Sequence, residues 1–344
     1  MSLKAESIII RRICGQIKKS KRFLITGHTN PDGDCLGSEL ALGMMLAKMG
    51  KEVFTINVGS YSKELLFLPG VEKAKLFKGG DMLPGGFDVI FILDSGGISR
   101  LEEMEAPVAA LLRQKNGPVL INIDHHTGNG NFGDINWVDK TKAAVGEMVF
   151  QLIKYCGVKV DRKIATNLYV SLDTDTGHFR FESTSPATHL IVAELLATGI
   201  NISEIYKRIY EGKTYGEMKL FVECLSRIKL TPDGRIAWSV LTREMYKKFK
   251  SGPSDSQNYI SQIKIIDGVK VAVLFRETQK DPLAVKVSIR TDSSIDAAEL
   301  VRPLGGGGHS RASGVTMRPP IDKACKQLIQ YIQKHSFLLD NKQC

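Results

Sequence analysis

The first half of the chain alternates short apolar runs with longer amphipathic stretches. Four runs are rich in β-branched or aromatic residues and are bounded by Gly, Asp, Asn or Pro, as strands usually are; they cover residues 22–26, 53–58, 88–93 and 119–123. A helical stretch between the first two, residues 36–49, ends at Gly50 as at a helix C-cap. Continuous apolar strands that alternate with helices predict a parallel sheet covered on both faces.

The middle of the chain carries apolar residues at spacings of three and four, which predicts helices at 143–155, 162–172, 187–197 and 216–228. Strand patterns return at 236–241, 269–275 and 284–289, followed by a short helix at 296–300 and a final helix near 322–335. The sequence therefore predicts an α/β fold. A parallel-sheet, Rossmann-like domain covers residues 1–195, a helical linker 196–229, and a second, smaller α/β domain 230–344.

Composition narrows the class of protein. The 344 residues are enough for two domains, and no apolar run approaches the ~20 residues that span a bilayer. The run Ile8, Ile9 and Ile10 is too short for the apolar core of a signal peptide. None of the six cysteines forms a C-x-x-C pair, which argues against a zinc knuckle or a disulfide scaffold. We expect a cytoplasmic protein without a membrane partner.

The net charge of +10 is distributed unevenly. Residues 191–344 hold 24 basic and 16 acidic residues, and so carry +8 of this charge. A basic half favours an anionic partner, such as a nucleotide or a nucleic acid. Lysines on a solvated surface would give the same count, so charge alone leaves both interpretations open.

Metal-binding side chains follow three of the predicted strands directly, and a fourth group closes a predicted helix. The set is His28, Asp32 and Asp34; Asp94; Asp124, His125 and His126; and Asp175. Each residue alone could be a turn former or a helix cap. Ligands in open α/β sheets bind beyond the carboxyl ends of the strands, so the repetition at three strand ends predicts one shared site.

The ligand types indicate the metal and the reaction. Imidazole with several carboxylates and no thiolate suits Mn²⁺ or a similar divalent ion. So many carboxylates in one place would repel each other strongly without cations, and two ions sharing a carboxylate resolve this. Two ions ~3.5–4 Å apart can clamp both ends of an in-line displacement at phosphorus. The site thus predicts hydrolysis of a phosphoester or phosphoanhydride.

These residues lie in motifs that resemble those of the DHH phosphoesterase family. The run from His28 to Asp34, with Gly37 and Ser38, resembles the first motif, Asp94 the second, Asp124-His125-His126 the third and Thr174-Asp175-Thr176-Gly177 the fourth. The run Gly305-Gly306-Gly307-Gly308-His309, with Ala312-Ser313-Gly314, resembles the signature of the DHH-associated C-terminal domain. The resemblance covers nearly the whole chain in the family's order. It implies a DHH domain at 1–195 and a substrate-binding domain at 230–344.

The resemblance also implies a role for each residue of the site. His28 and Asp32 would hold one metal ion, Asp34, His125 and Asp175 the other, and Asp94 would bridge them. Mn²⁺ is the expected ion, with Mg²⁺ or Co²⁺ as alternatives. Asp124 would orient a neighbouring group, and His126 would face the substrate as a general acid or a phosphate contact. Asp173 departs from the family pattern and is expected to be structural, while the role of His178 is open.

Substrate contacts are predicted mainly near the C-terminus. Backbone amides of Gly305, Gly306, Gly307 and Gly308 could approach an anion closely, with His309 beside them. Arg290, expected at the end of the predicted strand 284–289, could offer a forked guanidinium to phosphate. Arg100, six residues after Asp94, is a further phosphate candidate, and Arg302 and Arg311 are weaker ones.

Within the family, the motifs most resemble the nanoRNase/pAp phosphatase branch. This implies hydrolysis of short oligoribonucleotides to mononucleotides and of 3′-phosphoadenosine 5′-phosphate. A cyclic or linear diadenylate phosphodiesterase is the alternative, and a pyrophosphatase or polyphosphatase is a further one. A catalytically silent nucleotide-binding regulator would show gaps among the ligands, and the sequence shows none. The sequence leaves substrate preference, cleavage polarity and a homodimer open.

Overall fold

The computed structural model describes residues 3–256, 259–278 and 281–340. The chain forms two compact units, Met1–Gly212 and Lys213–Cys344. Their boundary falls inside the segment 196–229, for which the sequence predicts a helical linker; that linker and the exact domain limits stay predictions. The predicted α/β class with a parallel sheet and a second α/β domain is confirmed.

The first unit is built on six parallel strands. They are β1 (Arg22–Gly27), β2 (Glu52–Val58), β3 (Lys75–Phe77), β4 (Val89–Leu93), β5 (Val119–Asp124) and β6 (Ile135–Val138). Their spatial order is β3-β2-β1-β4-β5-β6, the doubly wound order of dinucleotide-binding folds. The chain order reverses between β1 and β4, so the carboxyl ends of these two strands flank the crevice where such folds bind ligands.

Among the residues that the structure describes, seven α-helices accompany this sheet. They are α1 (Leu3–Lys19), α2 (Gly33–Lys48), α3 (Glu105–Leu112), α4 (Val145–Tyr155), α5 (Arg162–Asp175), α6 (Pro186–Leu196) and α7 (Ile202–Tyr210). Short 3₁₀ helices cover Lys63–Leu65, Val71–Lys73 and Ile98–Met104. No helix among the described residues is both long and apolar enough to cross a bilayer.

Both faces of the sheet are buried, which explains the continuous apolar strands. Phe23 and Ile25 of β1 pack in one core cluster, whereas Leu24 between them packs in another. β4 alternates in the same way, with Phe91 on one face and Ile92 on the other. Period-two alternation of polarity therefore has no place in these strands.

The second unit carries a mixed sheet. Its strands are β7 (Lys229–Leu230), β8 (Ile236–Leu241), β9 (Val271–Glu277), β10 (Val285–Thr291), β11 (Gly307–His309) and β12 (Ala312–Met317), in the spatial order β11-β12-β10-β9-β8-β7. Within this second sheet, β8 and β9 pair in parallel and the other described neighbours pair antiparallel. The helices are α8 (Tyr215–Ser226), α9 (Arg243–Phe249), α10 (Tyr259–Lys264), α11 (Ala297–Val301) and α12 (Ile321–Asp340), with 3₁₀ turns at Pro253–Ser256 and Arg302–Leu304.

Candidate metal centre

The carboxyl ends of β1, β4 and β5 bring the predicted ligands together with the end of α5. His28 follows β1, Asp94 follows β4, and Asp124 is the last residue of β5. Asp175 is the last residue of α5, so a helix from the sheet's covering layer completes the group. Among the described residues, His125 groups with Asp34 and Asp175 and, separately, with Asp94 and His126.

Asp94 lies between two imidazoles. Its Oδ2 atom is 3.6 Å from Nε2 of His28, and its Oδ1 atom is 3.6 Å from Nε2 of His125. The carboxylate is only 3% exposed, and Oδ1 has no hydrogen-bond donor. Asp94 also adopts a left-handed backbone conformation, with φ +53°, which Asp tolerates better than most residues. A buried carboxylate that points one oxygen at each of two histidines has the form of a bridging ligand.

The two imidazoles are oriented by backbone carbonyls. Nδ1 of His28 lies 2.9 Å from the carbonyl oxygen of Thr29, and Nδ1 of His125 lies 3.1 Å from that of Lys142. When Nδ1–H donates to a carbonyl, Nε2 carries the free lone pair and is therefore the atom that can bind a metal ion. Nε2 of His125 lies 3.7 Å from Oδ2 of Asp34 and 3.4 Å from Oδ2 of Asp175. Lone pairs and carboxylate oxygens that face one another in this way fit a divalent cation.

Asp34 is held more rigidly than the other carboxylates. Its Oδ1 atom accepts hydrogen bonds from Ser38 Oγ at 3.0 Å, Ser171 Oγ at 2.5 Å and the Gly146 N–H at 3.1 Å. Its Oδ2 atom accepts from the Val145 N–H at 2.7 Å. Val145 and Gly146 open helix α4, whose N-terminus favours negative charge. The position of Asp34 is therefore fixed before any ion binds.

Asp32 serves as a helix cap as well as a candidate ligand. Its Oδ1 atom accepts from the N–H groups of Asp34 and Cys35 at 3.0 and 3.1 Å, which explains why α2 begins at Gly33 rather than at the predicted residue 36. The same oxygen lies 3.8 Å from Nε2 of His28, and the side chain is 61% exposed. Capping and metal binding are thus compatible at this residue.

The electrostatics of the cluster require added positive charge. Burial and the neighbouring Asp94 raise the pKa of Asp34 to about 7. Burial also raises the pKa of Asp175 well above its ordinary value. Burial disfavours protonation of His28, but hydrogen bonding to Asp32 and Asp94 overcomes this and raises the His28 pKa to about 11. Without cations, the cluster would retain protons that two divalent ions can replace.

His126 lies beside this cluster with a different partner. Its Nδ1 atom is 2.7 Å from Oδ1 of Asp124 and 3.5 Å from Oδ1 of Asp94. Oδ2 of Asp124 accepts from Asn129 Nδ2 at 2.6 Å, and the same amide group reaches the carbonyl oxygen of Ser95 at 3.1 Å. Asp124 therefore joins His126, through Asn129, to the loop after β4, and its orienting role stays a prediction.

Several residues of the site lie outside the sequence motifs. Asn129 carries no motif signal, because a loop asparagine five residues after Asp124 is unremarkable. Ser171 had a usable signal, since it lies four residues before Asp175 and therefore on the same face of α5. Glu39 is fully buried beside the fully buried Cys35, and Asn57 donates to both of its oxygens at 2.8 and 2.9 Å.

Cys35 lies beside the candidate ligands but has the surroundings of a packed thiol. Its Sγ atom is fully buried and lies 3.6 Å from Oε1 of Glu39. It also lies within 4.8 Å of ligand atoms of His28 and Asp94. Burial, reinforced by Glu39, raises the pKa of the Cys35 thiol well above its ordinary value, and a protonated thiol is a poor ligand.

The predicted substrate residues are distributed over both units. Arg100 is exposed on the 3₁₀ helix after β4, and its carbonyl oxygen accepts from the Thr29 N–H at 3.0 Å. Arg290 lies within β10 rather than beyond its end, because that strand continues to Thr291. Across the second sheet, Arg290 pairs with Ala312 and Ala312 with His309, so the three positions form one row. The side chain of His309 lies outside the described part of the structure.

The glycine run is partly a strand rather than only a loop. Gly307 and Gly308 pair with Gly314 and Ser313 of β12. A Cβ atom at Gly306 or Gly308 would come within 2.5 Å of a carbonyl oxygen of the neighbouring chain segment, whereas Gly305 and Gly307 face open space. Two of the four glycines are therefore explained by close backbone packing, and two leave room beside the backbone.

Comparison with known proteins agrees with this geometry. The model of the DHH family, N-terminal domain, matches residues 22–172, and the DHHA1 domain model matches residues 238–334. The chain is 32% identical over 312 residues to the bifunctional oligoribonuclease and PAP phosphatase NrnA of Thermus thermophilus, covering 90% of this chain and 89% of the relative. The chain belongs to the DHH family.

Two further DHH comparisons extend over almost the full length. The bifunctional oligoribonuclease and PAP phosphatase NrnA of Bacillus subtilis is 26% identical over 300 residues, which cover 86% of this chain and 89% of that protein. The crystal structure of an exopolyphosphatase-related protein from Bacteroides fragilis is similar with a TM-score of 0.90 and 28% identity, covering 97% of this chain and 98% of that one. The predicted family resemblance is confirmed.

Proposed function

We propose that this DHH protein hydrolyses short oligoribonucleotides to mononucleotides and removes phosphate from 3′-phosphoadenosine 5′-phosphate. The observation that carries the proposal is Asp94, whose two oxygens face His28 and His125 at 3.6 Å each, as a two-ion phosphoesterase site requires. The full-length similarity to two proteins named oligoribonuclease and PAP phosphatase supports the substrate class. The chain is a hydrolytic enzyme of the DHH family.

Two divalent ions fit the ligands in two sets that share Asp94. His28 and Asp32 would hold one ion, and Asp34, His125 and Asp175 the other. Oxygen and imidazole donors without an ionised thiol suit Mn²⁺, with Mg²⁺ or Co²⁺ as alternatives. When bound, such ions supply Lewis-acid stabilisation of the phosphate oxygens and lower the pKa of water.

The remaining groups orient the substrate and move a proton. Asp124 holds the His126 ring through Nδ1, so Nε2 is the atom that can donate a proton to the leaving oxygen or bond a phosphate oxygen. Arg100 lies on the loop beside His28 and can contribute positive charge near the phosphate. Asp124 and His126 are thus the proposed catalytic pair of the chain itself.

The second unit supplies the proposed anion-binding groups. Burial, together with the nearby guanidinium of Arg276, lowers the pKa of Arg290. Pairing with a phosphate offsets the free-energy cost of removing a guanidinium charge from water. Gly307, in the same sheet, and Gly305, which ends the 3₁₀ turn before it, leave open space beside the backbone. We assign three groups to substrate binding: the side chain of Arg290, the backbone of residues 305–308, and His309.

A single substrate panel tests the proposed function. Purified full-length protein with Mn²⁺ is given RNA dinucleotides, pentanucleotides, 3′-phosphoadenosine 5′-phosphate, cyclic diadenylate, pyrophosphate and polyphosphate, with Asp94→Asn protein as the control. We expect the highest kcat/KM values on the dinucleotide and on 3′-phosphoadenosine 5′-phosphate, and none above background for Asp94→Asn. A preference for cyclic diadenylate, pyrophosphate or polyphosphate would overturn the proposal in favour of that substrate.

A further inference from the structure

The turn that follows the candidate ligand Asp175 has an uncommon backbone. Gly177, His178 and Phe179 have φ values of +57°, +63° and +59° in succession. For residues with a Cβ, the left-handed region costs roughly 1–3 kcal/mol each, so such conformations persist only where neighbouring groups hold them. They concentrate at functional sites, which makes this turn a place to look for a function.

A buried network stabilises the turn. Asp173, only 1% exposed, lies 2.5 Å from Nδ1 of His178 through Oδ1 and accepts from Tyr210 Oη at 2.6 Å through Oδ2. The His178 N–H donates to the Asp173 carbonyl oxygen at 2.7 Å, and the Phe179 N–H donates to Thr176 Oγ1 at 2.9 Å. The Asp173 carboxylate therefore links the turn to helix α7 by hydrogen bonds, which explains why an acidic residue stands at this position.

The turn leaves one large aromatic ring at the surface. Phe179 packs inward against Tyr169 and His189, with ring centroids 5.9 and 5.7 Å apart. Phe181, in contrast, is 55% exposed. Its ring lies directly on Gly177, because a Cβ added there would come within 2.3–2.7 Å of three ring atoms. Both the φ value and this contact therefore require glycine at position 177.

The turn against which the exposed ring packs directly follows the candidate ligand Asp175. Successive Cα atoms are ~3.8 Å apart, so the Cα atom of Gly177 is at most ~7.6 Å from that of Asp175. Oδ2 of Asp175 lies 3.4 Å from Nε2 of His125 within the centre. Arg180 adds a positive charge at the same turn, where its Nε donates to the Gly177 carbonyl oxygen at 2.7 Å. An aromatic face beside a cation and a phosphate-cleaving centre suits a nucleobase.

We propose that Phe181 stacks on the base of the nucleotide whose phosphate occupies the metal centre. This inference rests on the proposed function and makes it more specific, because it assigns a base-binding residue. Stacking is tolerant of sequence, since every base has an aromatic face. The enzyme would thus prefer nucleotides over other phosphate esters without preferring one base.

Equilibrium binding separates base recognition from hydrolysis. Affinities of AMP and of ribose 5-phosphate, which lacks the base, are measured calorimetrically with Mn²⁺ on full-length wild type, Phe181→Ala and Phe181→Trp. Leu190→Ala, a change of another exposed apolar residue in the first unit, is the matched control. We expect Phe181→Ala to weaken the binding of AMP by ~5- to 140-fold, which is the range for loss of one stacked base. The affinity for ribose 5-phosphate should stay unchanged. Phe181→Trp and Leu190→Ala should bind both as the wild type does.

The other outcomes overturn the proposal. AMP affinity equal in wild type and Phe181→Ala would show that the ring does not touch the base. An equal loss of affinity for AMP and for ribose 5-phosphate would show that the substitution only distorts the turn. Such a distortion would also change the Mn²⁺ content or the melting temperature of the variant. Failure of the wild type to hydrolyse dinucleotides and 3′-phosphoadenosine 5′-phosphate would overturn the proposed function separately, since the AMP comparison does not depend on turnover.

Discussion

Nδ1 of His126 lies 2.7 Å from Oδ1 of Asp124, a carboxylate that is itself fully buried. Burial opposes a charge on the imidazole, but the hydrogen bond to Asp124 overcomes this and raises the pKa of His126. The neighbouring His125 differs, because its Nδ1 faces the Lys142 carbonyl and its Nε2 faces carboxylates. Two adjacent histidines therefore have different surroundings and different expected roles.

Replacing these two histidines separately distinguishes proton transfer from metal binding. His126→Ala should keep the Mn²⁺ content of the protein and lower kcat by ~10²–10⁴-fold, the range for lost acid–base catalysis. His125→Ala should lose bound Mn²⁺. Metal analysis of the dialysed variants, combined with kcat on a dinucleotide, checks both. Metal lost from His126→Ala and retained in His125→Ala would reverse the two assignments.

Asp94→Ala should abolish turnover and reduce the bound metal by more than any other single ligand change. The reason is that its oxygens face both imidazoles, whereas Asp32 faces only His28. Titration of the metal-free variants with Mn²⁺ measures the effect, with Asp32→Ala for comparison. Near-normal activity of Asp94→Ala would contradict a bridging role.

Arg290→Ala should weaken dinucleotide binding without changing metal content. A half-buried guanidinium with an oriented phosphate partner should change KM by 10- to 100-fold, at about 1.4 kcal/mol per tenfold. Lys286→Ala is a suitable control, because Lys286 is exposed and lies four residues earlier on the same strand and face. The loss of activity caused by Arg290→Ala should be smaller on bis(p-nitrophenyl) phosphate than on the dinucleotide. Equal losses on both compounds would exclude a specific contact to the nucleotide.

Substrate length should matter strongly. A channel for long single strands stacks successive bases on aromatic side chains. Aromatic residues make up 7% of this chain and include two tryptophans, of which Trp137 is fully buried and cannot stack on a base. The rate per RNA end should therefore fall steeply between a dinucleotide and a strand of ~20 nucleotides. Single-turnover assays on end-labelled RNA of graded length measure this fall. Similar rates at all lengths would show that the enzyme processes long strands.

The buried carboxyl group of Glu39 should make the stability of the folded protein depend on pH. Burial raises its folded-state pKa from 4.5 to about 8, against the opposing hydrogen bonds from Asn57. Between these values the folded chain keeps a proton that the unfolded chain has lost. The contribution of Glu39 to the free energy of unfolding therefore decreases as pH rises from 4.5 to 8, by up to ~1.4 kcal/mol per pH unit. Glu39→Gln should remove this contribution, so the free energy of unfolding should fall less steeply with pH than in the parent protein.

Urea unfolding of the metal-free protein at several pH values tests this. Trp137 lies in the first unit and Trp238 in the second, so a Trp238→Phe background leaves Trp137 as the reporter of the first unit. Glu72→Gln, at an exposed position of the same unit, is the control and should follow the parent protein. Parallel curves for the parent and Glu39→Gln would show that Glu39 does not titrate in this range.

The sequence predicted the strands that carry the site well, because β1, β4 and β5 are buried on both faces and read as unbroken apolar runs. It missed β3 and β6, which have three and four residues and give no reliable pattern. The glycine run at residues 305–308 shows no strand pattern in the sequence, although hydrogen bonding to β12 makes half of it a strand. Glycine has low strand propensity, so only the partner strand reveals this.

The candidate ligands were predicted from residue type and order, and the structure brings them together. Their supporting partners could not be predicted in the same way. Asp34 accepts from Gly146 and Ser171, which lie 112 and 137 residues away, and Asn129 reaches back 34 residues to Ser95. Local patterns report contacts between near neighbours. Long-range hydrogen bonds depend on how the elements pack, and that appears only in three dimensions.

The bonds to Asp34 also have a consequence for biosynthesis. Of its four donors, only Ser38 lies nearby in the sequence; Ser171 is added 137 residues later, roughly 7–27 s at ~5–20 residues per second. A nascent chain that stops before α5 would have to bury this carboxylate with too few donors, which is costly. Helix α5 must therefore leave the ribosome before the core around Asp34 can close. An enzyme assembled in this order cannot cut RNA while its first unit is still being translated.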